Sequence, residues 1–449
     1  MRNCAISRPY QANRFSFMNY RLGMSMLITL FVCAAAFTGN IGLGFVSLGL
    51  SIYGLFNPLA LLPTAFVVAL SSDYYTLGGG VGLNRVIFLF VIGGLLIRCV
   101  RDKGIVPRFN FAASIVLLAL VYSFSYLQAI SRTSEMAINI ATMIAMLLLA
   151  SGVTLSNEES IQLISDFRQS AVIALIFVLL TMLVNPTYIG GRTTIGTLSP
   201  NRFSVIVVQL FAILVATCSS SKKRRLTYLV ALPACAYMVL LSGSRTGLIC
   251  IVGVVLIAGI LSNVGNNSSI IKWVATAFIL AIAAILLHQY IQSVPELAAR
   301  FDFSEVAEDG GTGRMDRIQV AFNYIIPNHL LLGVGPFENE QLALFPFFPV
   351  AGAASAHNIF VSMLINLGLL GVVAYVLVYG RLFVLSYKEF KHKRLLLLPL
   401  LLLLVTVCNG IGEVVYYEKY FWVSTAVAFM LLNSNGEFGV YQGVEFDGE

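Results

Sequence analysis

Apolar runs of about 15 to 25 residues recur along nearly the whole chain, and each is long enough to form a membrane-spanning helix. Inside a bilayer every backbone N–H and C=O must be bonded within the protein, so such runs fold as α-helices. The 449 residues are 58% hydrophobic and 11% charged, whereas a soluble domain carries about 25% charged residues. We therefore predict an all-α polytopic membrane helical bundle. A soluble enzyme, a disordered protein and a secreted disulfide scaffold are excluded.

Basic residues set the predicted topology. Seventeen of the 28 Lys and Arg residues lie in four clusters beside apolar runs, at residues 2–21, 98–108, 222–225 and 381–394. Because Lys and Arg are enriched in cytoplasmic loops, we place all four clusters on the cytoplasmic side. The net charge of +7 is explained by these clusters and does not indicate nucleic acid binding. The spans between any two clusters must be even in number, which predicts about 14 transmembrane helices, or about 12 if short early segments are re-entrant.

The predicted organisation has five parts. A cytoplasmic tail covers residues 1–21, a transmembrane bundle residues 22–290, a large periplasmic or extracellular loop residues 291–356, C-terminal transmembrane helices residues 357–433, and a cytoplasmic tail residues 434–449. Long ordered loops usually carry function. The acidic stretch at residues 157–169 predicts a short interfacial helix on the inner side. No charged residue falls in the middle of a predicted span, which argues against an ion-coupled transporter.

The even number of spans between the basic clusters also places several cations on the outer face, although Lys and Arg are usually enriched on the cytoplasmic side. They are Arg85, Arg132, Arg192, Arg202, Arg245, Arg300, Arg314, Arg317 and Lys419. A guanidinium group binds phosphate through paired N–H donors, and neighbouring backbone amides add further donors. The alternative for each arginine is contact with lipid headgroups.

Four of these arginines lie in loops or at helix starts suited to binding an anion. Arg192 follows two glycines, Asn201 and Arg202 open a predicted span, and Arg245 lies in a tight Ser-Gly-Ser-Arg-Thr-Gly turn. Arg314 follows a Gly-Thr-Gly segment and shares one face of a predicted loop helix with Arg317.

His357 and Asn358 precede the next predicted span, so the imidazole lies near a helix N-terminus at the water boundary. The positive end of a helix dipole favours the neutral imidazole, which can accept a proton. A structural role is the alternative for a single histidine.

The residues between 242 and 371 resemble the core of the O-antigen ligase and polymerase superfamily. The matching pieces are Ser-Gly-Ser-Arg-Thr-Gly at 242–247, Gly-Thr-Gly-Arg at 311–314, Gly-Val-Gly-Pro-Phe at 333–337, and His-Asn at 357–358 with Gly368 and Gly371. The nearest aromatic after the arginine of the loop is Phe322, where the family often has Trp. The remainder of the chain matches in hydropathy and in its large outer loop.

The resemblance implies a GT-C-like glycosyltransferase of the bacterial inner membrane, acting at the periplasmic face. It implies an undecaprenyl-pyrophosphate-linked oligosaccharide as donor, with Arg245 and Arg314 holding the pyrophosphate and His357 assisting deprotonation of the acceptor. Arg192, Arg317, Asn358, Asn201 and Arg202 are the further substrate-binding candidates. No metal and no cofactor are expected. Membrane lipid and a protein that regulates chain length are the other expected partners.

Three alternatives remain open at this point. Between the two activities of the superfamily we favour a polymerase over a ligase acting on lipid A-core, because the chain is long and has a large loop. A GT-C enzyme with a catalytic carboxylate in its first outer loop would use Asp73. A lipid-linked glycan flippase would form no glycosidic bond and would leave the large loop unexplained.

Overall fold

The computed structural model of the chain describes residues 8–70, 82–102, 111–196, 198–217, 222–262, 289, 291–293, 298, 314–349, 355–390, 393–414 and 416–434. The predicted span over residues 271–288, the glycines at 311 and 313, and Asp73 lie outside the described residues.

The described ranges form α-helices joined by short turns, together with a β-hairpin in which β1 (Thr187–Ile189) pairs antiparallel with β2 (Arg192–Thr194). The helices, in chain order, are α1 (Arg8–Thr38), α2 (Ile41–Ser51), α3 (Tyr53–Phe56), α4 (Pro58–Leu70), α5 (Leu83–Arg101), α6 (Ala112–Leu127), α7 (Ser134–Gly152), α8 (Asn157–Val184), α9 (Pro200–Ala216), α10 (Lys222–Leu241), α11 (Arg245–Ser262), α12 (Arg314–Val320), α13 (Asn339–Leu344), α14 (Ile359–Tyr375), α15 (Arg381–Phe390), α16 (Leu397–Gly410) and α17 (Lys419–Leu432). Two π-helical turns, Ala321–Ile325 and Val376–Gly380, continue α12 and α14.

Length and composition make this a multi-pass membrane protein. Among the described residues, four helical stretches are long and apolar enough to cross a membrane, and nine shorter apolar helices accompany them. The four are Leu83–Arg101, Ser134–Gly152, Asn157–Val184 and Ile359–Phe390. The predicted all-α polytopic bundle is therefore confirmed.

Three helices form the centre of the bundle. Every residue of α4 is buried, as is every residue of α17 after its first. Helix α9 is buried from Phe203 through Val215. A helix that is apolar on all sides lies in the interior. Helix α9 packs against α8, α10, α11 and α16, and α4 packs against α1, α5, α8 and α17.

Residues 157–169 do not form a separate interfacial helix, which corrects the prediction. They are the first half of α8, a continuous helix of 28 residues. The prediction took Asp166 as a sign that this segment leaves the bundle. Asp166 is instead fully buried, with its Oδ2 atom 3.4 Å from Nη2 of Arg21 on α1. A buried carboxylate is tolerated where an opposite charge faces it, so the helix continues without a break.

The two ends of the bundle carry different basic residues. At one end Arg98 donates to Glu159, Lys393 Nζ donates to the Leu432 carbonyl, and Arg394 donates to the Leu261 carbonyl. These three basic residues belong to the clusters predicted to be cytoplasmic. The opposite end holds the starts of α9, α11, α14 and α17. Arg98, Lys393 and Arg394 therefore lie at the end opposite these helix starts, and the side of the membrane that each end faces stays a prediction.

Helix α14 is interrupted at Gly368, whose φ of 65° and ψ of −168° are not helical. The interruption leaves the carbonyl groups of Ile365 and Asn366 without intrahelical donors. They accept hydrogen bonds from the N–H groups of Val334 at 2.8 Å and Gly335 at 3.1 Å. The segment that precedes α13 therefore completes the backbone bonding of α14.

The same segment also bonds the far side of the interruption. The N–H of Leu369 donates to the Leu330 carbonyl at 2.8 Å, and the N–H of Leu370 donates to the Leu331 carbonyl at 3.2 Å. Residues 330–335 and residues 365–370 thus lie against each other, backbone to backbone.

Two glycines of the sequence motifs permit this approach. A methyl group at Gly333 would lie 2.3 Å from the Asn366 carbonyl carbon, and one at Gly368 would lie 2.4 Å from the Leu331 carbonyl carbon. Both glycines also have a positive φ, at 69° and 65°. Their spacing in the sequence therefore reflects one packing contact.

We predict that Gly368→Ala and Gly333→Ala each lower the free energy of unfolding. The backbone strain alone costs about 1–3 kcal/mol, and overlap with the facing backbone adds to it. The matched control is Gly253→Ala on α11, where an added methyl group meets nothing within 4 Å. Thermal unfolding of the detergent-purified variants tests this, and equal melting temperatures for all three variants would contradict it.

Candidate active site

The turn between α10 and α11 presents Arg245 at one end of the bundle. The N–H of Gly243, which has a φ of 60°, donates to the Leu240 carbonyl and closes α10. The Ser244 hydroxyl then accepts from the N–H of Gly247 at 3.3 Å and caps α11. Arg245 is therefore the first residue of α11 and is partly buried. The positive end of a helix dipole favours anions at such a position.

Gly247 and Ser244 also fix the turn against α9. A methyl group at Gly247 would lie 2.8 Å from Val239 Cγ1 and 3.0 Å from Ser204 Cβ, so a larger residue would require these neighbours to shift. The Ser204 hydroxyl donates to the Ser244 hydroxyl at 2.9 Å. The serines and the last glycine of the Ser-Gly-Ser-Arg-Thr-Gly motif thus have packing and capping roles.

Arg192 reaches this turn from the β-hairpin. Its Nε atom donates to the Ser242 carbonyl at 2.7 Å, and its Nη2 atom donates to Asn201 Oδ1 at 2.6 Å. The absence of a side chain at Gly243 leaves room for the guanidinium, since an added methyl group there would lie 3.3 Å from Arg192 Nε. The structure therefore brings Arg192 and Asn201 to the turn that carries Arg245.

Residues 411–414, which follow α16, connect this turn to Arg314 and His357. A methyl group at Gly412 would lie 2.8 Å from Thr246 Oγ1 and 3.7 Å from Arg314 Nη1. Glu413 Oε2 lies 3.8 Å from His357 Nδ1. Glu413 was not among the site residues predicted from the sequence. Its one signal was a carboxylate directly after an apolar run that ends on the predicted outer face.

Glu413 remains ionised at neutral pH. Burial raises the pKa of its carboxyl, but the neighbouring His357 imidazole, the Asn201 side chain and the charge of Arg202 lower it by more, so the pKa lies below its ordinary value. The ionised carboxylate can accept a hydrogen bond from the imidazole Nδ1–H group.

His357 lies in a constrained backbone conformation immediately before α14. Its φ is 49°, which is uncommon for a residue other than glycine. Its N–H donates to the Ser355 hydroxyl at 3.2 Å. The buried Nδ1 atom makes no hydrogen bond with any described residue. Strained backbone of this kind is frequent at functional sites.

Glu340 on α13 holds the segment before His357 in place. Its Oε1 atom accepts hydrogen bonds from the Ala356 N–H at 2.6 Å, the Ser362 hydroxyl at 2.8 Å and the Ser355 hydroxyl at 3.1 Å. The side chain is fully buried, and burial raises the pKa of its carboxyl by more than these hydrogen bonds lower it. The sequence analysis did not identify this residue either.

Three predicted binding residues make contacts within the protein. Asn358 Oδ1 accepts hydrogen bonds from the N–H groups of Phe360 and Val361 and caps α14. Arg317 Nη1 donates to the Ser355 carbonyl at 3.1 Å. Arg202 forms a two-point ion pair with Glu418, at 2.8 and 2.9 Å. These contacts hold α14, α12 and α9 in place at the site.

The predicted site residues therefore lie at one end of the bundle. Arg192 contacts the turn that carries Arg245, and the 411–414 segment lies beside Thr246, Arg314 and His357. In the part of the chain that the structure describes, no three His, Cys, Asp or Glu side chains group closely enough to hold a metal ion. The expectation of a reaction without metal or cofactor stays a prediction.

A family model described as O-Antigen ligase matches residues 228–376. The match includes Arg245, Arg314, His357 and the glycines at the interruption of α14. It confirms the resemblance to the O-antigen ligase and polymerase superfamily and supports an activity of that type. Arg192, Asn201 and Glu413 lie outside the matched residues. No curated protein matches the chain.

We predict that Glu340→Ala destabilises the protein, because buried donors at residues 355, 356 and 362 lose their acceptor at about 1–3 kcal/mol each. Glu340→Gln is expected to retain most of the stability, since the amide oxygen still accepts and the raised pKa indicates that loss of the charge costs little. The control is Glu338→Ala, an exposed neighbour. Melting temperatures measure the effect, and an unchanged value for Glu340→Ala would contradict it.

Proposed function

We propose that the chain is an O-antigen polymerase. In this proposal it transfers a glycan chain from undecaprenyl pyrophosphate to a lipid-linked repeat unit at the periplasmic face of the inner membrane. The alternative within the same family is a ligase that transfers the glycan to lipid A-core. Both reactions use the same donor and differ in the acceptor.

The observation that carries the proposal is the meeting of the Arg314 guanidinium, the start of α11 and the His357 imidazole around residues 411–414. Arg314 and Thr246 flank Gly412, and His357 faces Glu413. These residues come from elements far apart in the sequence. A cationic group beside a partly exposed imidazole suits a reaction in which an anionic leaving group departs while a hydroxyl loses its proton.

We assign the binding of the diphosphate to Arg245 and Arg314, with a weaker contribution from Arg192 and Arg317. Diphosphate is a good leaving group, so charge stabilisation is the main requirement, and no strong acid is needed. The Arg192 guanidinium already donates to Ser242 and Asn201. The Arg317 guanidinium donates to Ser355. These two arginines therefore also hold parts of the protein together.

The acceptor hydroxyl loses its proton to Nε2 of His357 as its oxygen attacks the anomeric carbon of the donor. The bond between that carbon and the phosphate oxygen breaks, and the diphosphate leaves with the electron pair. Glu413 accepts a hydrogen bond from Nδ1–H and keeps Nε2 available as the base. The distance of 3.8 Å shortens when substrate binds, as is common for such contacts. The attack is in line and inverts the anomeric configuration, and retention would contradict this.

The preference for a polymerase over a ligase rests on the length of the chain and on its large loop. Purified protein is incubated with a lipid-linked repeat unit, and the products are separated on a gel. A ladder of lengthening glycans supports the polymerase. Transfer to added lipid A-core without a ladder supports the ligase. Movement of the lipid-linked glycan across a vesicle membrane without a new glycosidic bond supports the flippase.

We predict that Arg245→Ala, Arg314→Ala and His357→Ala each abolish glycan extension while membrane insertion is retained. Loss of one group that stabilises developing charge costs about 3 kcal/mol, which is about 100-fold or more in rate. Arg192→Ala and Arg317→Ala are expected to give partial losses. Arg132→Ala, an exposed arginine predicted on the same face, is the control. Wild-type polymer length in the first three variants would overturn the proposal.

Glu413→Gln is predicted to lower kcat by about 100-fold, because the neutral amide no longer selects the productive imidazole tautomer. KM for the lipid-linked donor is expected to change little, since Glu413 does not bind it. Glu413→Asp restores part of the rate, because the charge is kept. Glu338→Gln is the control for removal of an exposed carboxylate. If Glu413→Gln kept the kcat of the parent protein, the proposed positioning role of Glu413 would be wrong. The role of His357 would then be decided by the His357→Ala variant alone.

A further inference from the structure

The described part of the large loop contains two stretches without a charged side chain. No Asp, Glu, Lys or Arg occurs from Ile318 through Phe337, or from Gln341 through Ser355. Within the first stretch the chain passes from α12 through a π-helical turn and a 3-10 turn into the non-helical residues 329–337. The prediction treated this loop as lying mostly outside the membrane. Such a composition is unusual for a segment surrounded by water.

The depth of this segment follows from its bonds to α14. The helical stretch Ile359–Phe390, which is interrupted at Gly368, starts at the end that holds the candidate site, and its first charged residues are Arg381 and Lys388. A helix crosses the hydrocarbon core in about 20 residues. A window of about 20 residues counted back from Arg381, or from Lys388, contains both Leu369 and Leu370.

Leu330 and Leu331 therefore reach the hydrocarbon region of one leaflet, because their carbonyl groups accept hydrogen bonds from Leu369 and Leu370. Their side chains are 48% and 59% exposed. The side chains of Leu369 and Leu370 are exposed as well, and the exposed apolar surface of α14 continues through Val373. The two loop leucines thus extend a surface that already faces lipid.

Non-helical backbone is tolerated at membrane depth only where its polar groups are bonded within the protein. Much of the backbone of the turn at residues 329–335 is bonded in this way. Its N–H groups at Gly333, Val334 and Gly335 donate to His329, Ile365 and Asn366, and its carbonyls at Leu330, Leu331, Gly333 and Val334 accept from Leu369, Leu370, Gln128 and Ile130.

Aromatic side chains lie in the adjoining parts of the loop. Phe322, Tyr324, Phe345 and Phe347 are all exposed, and the rings of Tyr324 and Phe347 stack with centroids 5.3 Å apart. Aromatic residues, and Tyr in particular, are enriched where a protein crosses the boundary between lipid and water.

We propose that residues 329–335 form a re-entrant turn in the leaflet on the side of the candidate site, with phospholipid acyl chains as the partner of Leu330 and Leu331. The neighbouring aromatic residues occupy the interface of the same leaflet. This inference rests on the hydrogen bonds, exposure and charge pattern of the loop, and does not depend on the proposed activity.

Leu331→Trp in the full chain, reconstituted in vesicles of phosphatidylcholine with brominated acyl chains, tests the proposal. The chain has two native tryptophans, Trp273 and the buried Trp422, so fluorescence is compared with that of the unsubstituted protein. The added tryptophan is expected to be quenched as strongly as the one in Val373→Trp, which marks the lipid-facing surface of α14. Ser134→Trp, on an exposed turn at the start of α7, is expected to escape this quenching and to respond to aqueous iodide.

Quenching of Leu331→Trp by iodide and not by brominated lipid would overturn the proposal, because the turn would then stand in water. Should Leu331→Trp fail to fold, Leu330→Trp replaces it. Carbene labelling of the unsubstituted protein from the lipid phase gives a second measurement. Labelling of residues 329–335 at the level of residues 369–377 supports the proposal, and labelling no higher than that of residues 131–135 contradicts it.

Discussion

The backbone contact between residues 330–335 and the interrupted helix α14 holds the candidate site in place. It joins the large loop to a helix of the bundle through hydrogen bonds that only glycine at 333 and 368 permits. With the loop fixed there, Glu340 can bind both the residues before His357 and Ser362 after it. The unusual φ of His357 is then maintained by contacts on both sides. Leaving such buried polar groups unbonded would cost far more than the strain.

Carboxylates at this end of the bundle have separate positional roles. Glu418 pairs with Arg202 and holds the start of α9 against the start of α17. Glu413 faces His357 and is kept ionised by the Asn201 side chain and the charge of Arg202, in addition to the imidazole. Asn201 also accepts from Arg192. A side chain that contacts both Arg192 and Glu413 therefore couples the arginine beside the α10–α11 turn to the proposed base. In the proposed reaction, anion binding and proton transfer would depend on one connected set of contacts.

Hydropathy and spacing predicted most of the helices, because an apolar run in a bilayer has few other ways to bond its backbone. The start of α14 at Asn358 and of α12 near Arg314 followed from local signals. Glu413 could not be connected to His357 from sequence, since their contact joins elements that only the packing of α14 and α16 brings together. The continuation of α8 through Asp166 was missed for the same reason, because its charge is compensated by Arg21, which is remote in sequence. Local chemistry predicts elements, whereas charge compensation depends on tertiary contacts.

The re-entrant turn and the proposed chemistry meet in the same stretch of chain. The segment that bears Leu330 and Leu331 is bonded to α14, and α14 begins two residues after His357. If the proposed re-entrant turn lies in the leaflet, the fold itself sets the height of the imidazole relative to the hydrocarbon region. A polyprenyl diphosphate holds its charged group at the boundary where its hydrocarbon chain ends. Arginines fixed at that height can bind the diphosphate while the chain stays in lipid, so no free energy is spent on withdrawing the tail from the membrane.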